Sequence, residues 1–268
     1  MVRKLVLWLI AATIAAGCQT VQTTNPGVVG VTREQRFLVS EAQMESGATQ
    51  AYREELQAAR QKNALNRDAQ LTARVRKIAG ELERSTVVFR DDAPNWNWEV
   101  NTLATDELNA YAMPGGKIMV YEGIVKRLNL TDSEIAAIMG HEIAHALRQH
   151  SRERVSRLYA QQLAISGAAA LTGVDASVAD LANTVATVTF QLPFSREQEA
   201  EADIVGLELM ARAGYDPNAS VTLWQKMIAM EKQQPPEFLS THPAPATRIE
   251  GLQSLIPKVM PLYRTARN

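Results

Sequence analysis

The amino-acid sequence predicts an α+β fold, mainly helical, with a small β-sheet beside one long buried helix. Three observations carry this. From Thr32 to about Glu83 the chain is rich in Ala, Glu, Gln, Arg and Leu and has no Pro, a composition that favours helices. Between Trp96 and Tyr121 the pattern changes to short alternating segments around Pro114-Gly115-Gly116, as strands joined by a tight turn require. From Ser133 to Leu158 the helical period returns, with Ile135, Ile138, Met139, Ile143 and Leu147 forming a broad apolar face.

The elements follow in order. Arg3 and Lys4 precede an apolar run from Leu5 to Ala16, and Ala15-Ala16-Gly17 leads into Cys18. A charged start, a short apolar stretch and small residues describe a signal peptide over residues 1–17. Cys18 is the single cysteine, so no disulfide forms within the chain. Small residues followed at once by Cys resemble the bacterial lipobox, although Ala15 stands where that pattern prefers Leu. The resemblance implies a lipid on Cys18. Gln19, a non-acidic residue after the Cys, implies the periplasmic face of a Gram-negative outer membrane. Residues 18–31, polar and containing Pro26, Gly27 and Gly30, read as a lipid-anchored tether. The folded body is expected over 32–256. Within it, strands are expected at Trp96–Val100, Asn109–Met113 and Lys117–Tyr121. Thr131 or Asp132 can cap the long helix over Ser133–Leu158, with Glu134 in its first turn. Gly167–Pro193, rich in Ala and Thr, suits a helix pair or a mobile cover. Further helices are expected from Ser195 to Gly214, from Pro217 to Lys232 and from Thr247 to Ile256. A loop with four prolines lies before the last of them, and 257–268 reads as a tail. After the signal no run of 18 apolar residues occurs, so no membrane-spanning helix is expected.

The apolar share of 46% calls for a globular body, and the net charge of -1 gives no basic surplus for a nucleic-acid partner. Chemistry concentrates in His141-Glu142-Ile143-Ala144-His145. Positions i and i+4 share a helix face, so the two imidazoles can hold one Zn²⁺. Glu142, beside the first of them, can reach a water as general base. A catalytic zinc takes three protein ligands and keeps an open position. The third could be His150, His242 or a carboxylate. His150, five residues after His145, is rotated off the ligand face. In the acidic run from Glu197 to Asp203, Glu199 and Asp203 share a face. One could bind zinc while the other accepts the free ring N–H of a ligand histidine. Glu197 and Glu201 read as solvated acids at a helix start.

With these residues the chain resembles the zinc metallopeptidase family of the HtpX heat-shock protease and the CAAX prenyl endopeptidase. Asn109-Ala110-Tyr111-Ala112-Met113-Pro114-Gly115-Gly116 is similar to the family's strand before the site helix, and His141 to His145 to its zinc helix. Ser195-Arg196, Glu199 and Ala202-Asp203 are similar to its second helix, and Thr241-His242-Pro243 with Arg248 to a late motif. The resemblance implies a zincin-like fold and one Zn²⁺ per chain on His141, His145 and Glu199. It implies Asp203 as the partner behind the ligands and polypeptides as substrates. Asn109, Ala110, Tyr111, Ala112 and Met113 would pair with an extended substrate as an added strand. It departs from the membrane-embedded members, which have transmembrane helices. It is most similar to short lipoprotein members, which implies quality control of unfolded or misassembled envelope proteins. A zinc-bearing chaperone or outer-membrane assembly factor with latent protease activity would carry the same residues.

Pro243 and Pro245 hold His242 in a loop, and Arg248 sits in a helix's first turn, where a cation gains nothing from the dipole and needs another partner. The resemblance implies that both reach the zinc cleft. There they would stabilise charge on the carbonyl oxygen, or His242 would close a resting site as a latch.

Overall fold

Ser40 opens the first long helix by a reciprocal cap with Gln43, and the apolar face that follows packs into the smaller of two apolar clusters among the described residues. The computed structural model describes residues 19–166, 177–231, 236–243 and 247–267. The signal peptide and Cys18 lie outside them. In chain order the strands are β1 (Gln19–Val21), β2 (Gln35–Phe37), β3 (Glu99–Leu103), β4 (Ala110–Met113) and β5 (Lys117–Tyr121). The first helices are α1 (Glu41–Gln61), α2 (Ala69–Ser85), α3 (Glu122–Arg127), α4 (Asp132–Leu147) and α5 (His150–Ser166). They are followed by α6 (Val178–Phe190), α7 (Arg196–Arg212), α8 (Asn218–Glu231), α9 (Glu237–Thr241) and α10 (Thr247–Ala266). The architecture is the mainly helical α+β arrangement that the sequence predicts.

Residues 19–31 are packed, which corrects the tether expectation for them. β1 pairs antiparallel with β2, Gln19 opposite Phe37. Thr24, Val29 and Val31 are buried. Gly27 has φ +61°, and a Cβ there would lie 2.5 Å from Glu208 Oε2 and 2.7 Å from Phe89. The Val29 N–H donates to the same Glu208 oxygen at 3.1 Å. Hydrogen bonds and apolar contacts to residues far along the chain hold this segment, and composition does not reveal them.

The three-stranded sheet has the order β3-β5-β4, with β3 parallel and β4 antiparallel to β5. β4 and β5 meet at a turn where Gly115 and Gly116 take φ of +75° and +78°. A Cβ on Gly116 would stand 2.6 Å from Trp98. β3 begins three residues later than the alternation from Trp96 suggests. Ala93–Asn95 forms a 3₁₀ turn, and Trp96 and Trp98 lie side by side, their ring centres 5.4 Å apart.

Thr131 and Glu134 form a capping box that starts α4, and every residue of α4 from Glu134 to Leu147 is buried. The single helix expected over Ser133–Leu158 is instead two. Gln149 has φ +51° and breaks the helix between α4 and α5. At the other end α10 runs through Pro257 and Pro261 to Ala266, so 257–266 is helix rather than tail. Buried Val259 and Leu252 pack it into the main core, which outweighs the lost backbone hydrogen bonds. Part of the 167–193 segment lies outside the described residues, and its second half is α6, which packs on α1. Among the described residues no helix is long and apolar enough to cross a membrane.

Candidate metal centre

The site forms where α4 crosses α7, and two glycines set the distance. A Cβ on Gly206 would come within 2.8 Å of Gly140 C and His141 N, and one on Gly140 within 3.0 Å of Gly206 O. Any side chain at either position would drive the helices apart. A glycine inside a helix costs roughly 1 kcal/mol against Ala, so close approach of two backbones is the compensating gain.

That crossing brings His141 and His145 of α4 against Glu199 of α7, and the loop after α9 adds His242. One ligand atom from each of the four lies within 4.8 Å of the others, and all four residues are buried. His141 Nε2 is 3.1 Å from His145 Nε2 and 3.3 Å from His242 Nδ1. Glu199 Oε1 is 2.9 Å from His242 Nδ1 and 3.3 Å from His145 Nε2. His141 Nδ1 lies 3.1 Å from Asp203 Oδ1, one turn along from Glu199. A carboxylate accepts only, so Nδ1 carries a proton and Nε2 faces the centre. Phe194 and Phe238 stack on the two faces of His242, at 5.0 and 4.4 Å between ring centres.

Electrostatics agree with a cation at this point. Burial would raise Glu199, but His242, His141 and His145 outweigh it and hold the carboxyl well below its usual range. Burial would lower His141, yet Asp203 and Glu199 hold it up to about 9, so a cation at Nε2 replaces a proton. Burial raises Glu142, only partly offset by His242 and His141, as suits a base. Glu142 Oε2 accepts the Ala112 N–H at 3.3 Å, and its buried Oε1 has no hydrogen-bond partner. Glu199 Oε2 is paired with Arg248 Nη1 at 2.6 Å. Converging imidazoles and a buried carboxylate fit Zn²⁺, whose ligands are N and O donors of this kind.

Arg248 reaches the cleft, but its donors are engaged. Nε and Nη2 donate to the two Asp203 oxygens at 2.6 Å each, and Nη1 to the Pro243 carbonyl at 3.1 Å. Its guanidinium carbon lies 3.8 Å from the Trp224 ring centre. The charge partner that the sequence demands is therefore Asp203 with Glu199. These bonds hold the guanidinium against the two carboxylates beside the centre.

β4 is an edge strand of its sheet and passes directly by Glu142. Its outward amides are engaged, Ala112 N–H by Glu142 and Ala110 N–H by the Asn109 side chain at 2.9 Å. Tyr111 and Met113 are buried in a second apolar cluster, where Phe190 of α6 meets Tyr111 edge-on at 5.1 Å.

Glu197 is exposed, as the sequence suggests, with 67% of its side chain open to solvent. Glu201 is not. It is buried and bonds His150 Nε2 at 3.0 Å, Arg33 Nε at 2.6 Å and Arg148 Nε at 3.0 Å. Glu153, on the other side of Arg33, would be raised by burial, but bonds from Arg33, Gln198 and Gln35 pull it down to about 2. His150, off the ligand face as its spacing implies, is fully buried and hydrogen-bonded. Sequence reasoning missed Gly140, Gly206 and these partners of His150. Two helix-interior glycines were the available signal.

The model of Peptidase family M48 matches residues 66–256. "Mitochondrial metalloendopeptidase OMA1" of Schizosaccharomyces pombe is 38% identical over 163 residues, covering 60% of this chain and 47% of that protein. "Metalloendopeptidase OMA1, mitochondrial" of Homo sapiens is 35% identical over 178 residues, 61% of this chain and 33% of that protein. "Beta-barrel assembly-enhancing protease" of Escherichia coli K12 is 31% identical over 169 residues, 60% of this chain and 34% of that protein. The chain thus spans less than half the length of each of these relatives. The matched stretch contains both histidines of α4, Glu199, Asp203, His242 and Arg248, and the chain belongs to this peptidase family.

Proposed function

We propose that this chain is a zinc endopeptidase that cleaves unfolded or misassembled proteins of the cell envelope. One observation carries the reading: His141, His145 and Glu199 converge on one buried point with Glu142 beside it. Those three residues would hold the ion. Zn²⁺ there supplies Lewis acidity, polarising a carbonyl oxygen and lowering the pKa of a water toward about 7. Glu142 takes the proton as the water oxygen joins the carbonyl carbon. It returns the proton to the amide nitrogen as the C–N bond breaks. Asp203 fixes the His141 tautomer, and Arg248 neutralises Asp203 and Glu199. Extended substrates would pair with the Ala110 and Ala112 amides of β4, displacing Asn109 and Glu142 from them. A cavity of about 340 Å³ lined by Phe194, Ile204, Leu252 and Leu255 opens beside Glu199 and would take an apolar side chain. Backbone pairing and an apolar pocket select shape over sequence, which suits unfolded chains. The name of the relative from Escherichia coli, a protease enhancing β-barrel assembly, supports the envelope reading and a link to outer-membrane assembly.

His242 Nδ1 lies among the candidate ligand atoms, 2.9 Å from Glu199 Oε1 and 3.3 Å from His141 Nε2, which favours the latch over the transition-state donor. The deciding experiment measures zinc by elemental analysis and casein hydrolysis with and without chelator, for the wild type and His242→Ala. Stoichiometric zinc and chelator-sensitive cleavage are expected, with faster cleavage by His242→Ala. A metal-free, inactive wild type would sink the peptidase reading. A fall of about 10²–10³-fold in His242→Ala at full zinc would make His242 a donor instead.

The sequence Ala15-Ala16-Gly17-Cys18 supports a lipid on Cys18 and a place on the periplasmic face of the outer membrane. Because β1 starts at Gln19, the body would sit against the bilayer with almost no slack. Intact mass of the mature N-terminus checks this, and an unmodified Cys18 would exclude the anchor.

A further inference from the structure

We propose that His150 is a positioning residue for the metal ligand His145, and that Glu201 and Arg33 hold His150 in the tautomer this requires. The inference rests on the metal-centre reading above. It starts from a contact that proton bookkeeping constrains. His145 Nδ1 and His150 Nδ1 lie 2.8 Å apart, both rings fully enclosed. Two imidazole nitrogens at that distance share one proton, so one donates and the other accepts. His145 turns its Nε2 toward His141 and Glu199, and a ligand nitrogen must present a lone pair. Its proton therefore sits on Nδ1, and His150 Nδ1 is the acceptor.

The second ring is then determined as well. With Nδ1 accepting, the His150 proton is on Nε2, which faces Glu201 Oε2 at 3.0 Å. Glu201 stays ionised because Arg33 Nε at 2.6 Å and Arg148 Nε at 3.0 Å both donate to it. Arg148 is fully buried and also bonds the Thr24 hydroxyl at 3.1 Å and the Arg33 carbonyl at 2.8 Å. The chain of bonds thus runs from His145 through His150 to Glu201 and ends on the docked segment 22–34. Gln149, with its positive φ, makes this possible. An unbroken helix would carry His150 off the face of His145, and the break returns it to that ring. His141 is oriented by Asp203 on one side of the centre, and His145 by His150 on the other. Glu201, expected as a solvated acid at a helix start, is instead buried within this arrangement.

The test uses the full chain loaded with zinc and titrated with a chromophoric chelator, alongside melting curves of the metal-free form. His150→Phe is expected to lower zinc affinity by about 10–100-fold. In His150→Asn, Oδ1 can accept the same His145 N–H, and most of the loss is expected to be recovered. Cobalt(II) loaded in place of zinc should show shifted visible bands in His150→Phe and near-wild-type bands in His150→Asn. Wild-type affinity in His150→Phe overturns the proposal. So does an equal loss in both variants that tracks lower melting of the metal-free protein, which would make His150 a packing residue only. Should His150→Phe fail to fold, Glu201→Gln decides, with unchanged zinc affinity overturning the relay and a measurable loss supporting it. A wild type that binds no zinc would remove the underlying metal-centre reading, a result distinct from any of these.

Discussion

Glu142→Gln is expected to lower peptidase turnover by about 10²–10⁴-fold while zinc content stays at the wild-type level. Glu142 lies in α4 between the two histidines, and its Oε1 is buried with no hydrogen-bond partner. The amide keeps the size and shape of the carboxylate. Its oxygen can still accept the Ala112 N–H that Glu142 Oε2 accepts at 3.3 Å. What it loses is the lone pair able to take a proton from water. Burial raises the pKa of Glu142 above the usual carboxylate range, against the opposing pull of His242 and His141, and so makes it a better proton acceptor. Steady-state kinetics on a fluorogenic peptide with zinc measured on the same sample checks this. Wild-type turnover would take Glu142 out of the mechanism, and loss of zinc would make it a ligand.

Arg248→Leu is expected to destabilise the metal-free protein by about 3–5 kcal/mol, because it leaves buried carboxylates without their counter-charge. For a domain of this size that is a fall in melting temperature on the order of 10 °C. Arg248 is only 7% exposed and serves Asp203 through two nitrogens at 2.6 Å, with Glu199 at 2.6 Å from a third. Burial opposes its charge, and the carboxylates of Asp203 and Glu199 more than restore it. Without Arg248 the two acids repel across a dry gap, and Asp203 no longer holds one position against His141. Zinc should therefore narrow the gap between the wild-type and variant melting curves, since its charge replaces part of what was removed. Calorimetry of both proteins with and without metal decides. A variant that melts like the wild type but turns over slowly would instead identify Arg248 as a donor to the transition state.

Most of the metal centre was legible because its chemistry is local. His141 and His145 need only four residues of helix to share a face, and Thr131 with Glu134 marks where that helix begins. Glu199 and Asp203 repeat the same spacing on α7 behind the Ser195 cap. The Pro114-Gly115-Gly116 turn placed β4 and β5 with their observed limits, except that Asn109 lies just before β4. His242 and Arg248 were harder. Their prolines and helix-start position showed that they needed partners but not which ones. The partner that Arg248 needed is Asp203, 45 residues away on α7.

The amino-acid sequence alone determined most of the helical and strand segments and the spacing of His141 with His145 and of Glu199 with Asp203, since each follows from hydrogen bonding and side-chain period within a few residues. Tertiary structure decided what depends on partners far along the chain. The crossing at Gly140 and Gly206 has no local signature beyond two helix-weakening residues. Neither does the packing of 19–39 onto Glu208, Arg148 and Ser156. Helix α10 continues through two prolines because the burial of Leu252 and Val259 outweighs the lost backbone bonds. The helix break at Gln149 is worthwhile only because His150 then meets His145 and Glu201, which lies 51 residues further on. Local energies select the elements. The larger sum of burial and charge pairing between distant residues selects how they meet, and the metal centre exists only after that second choice.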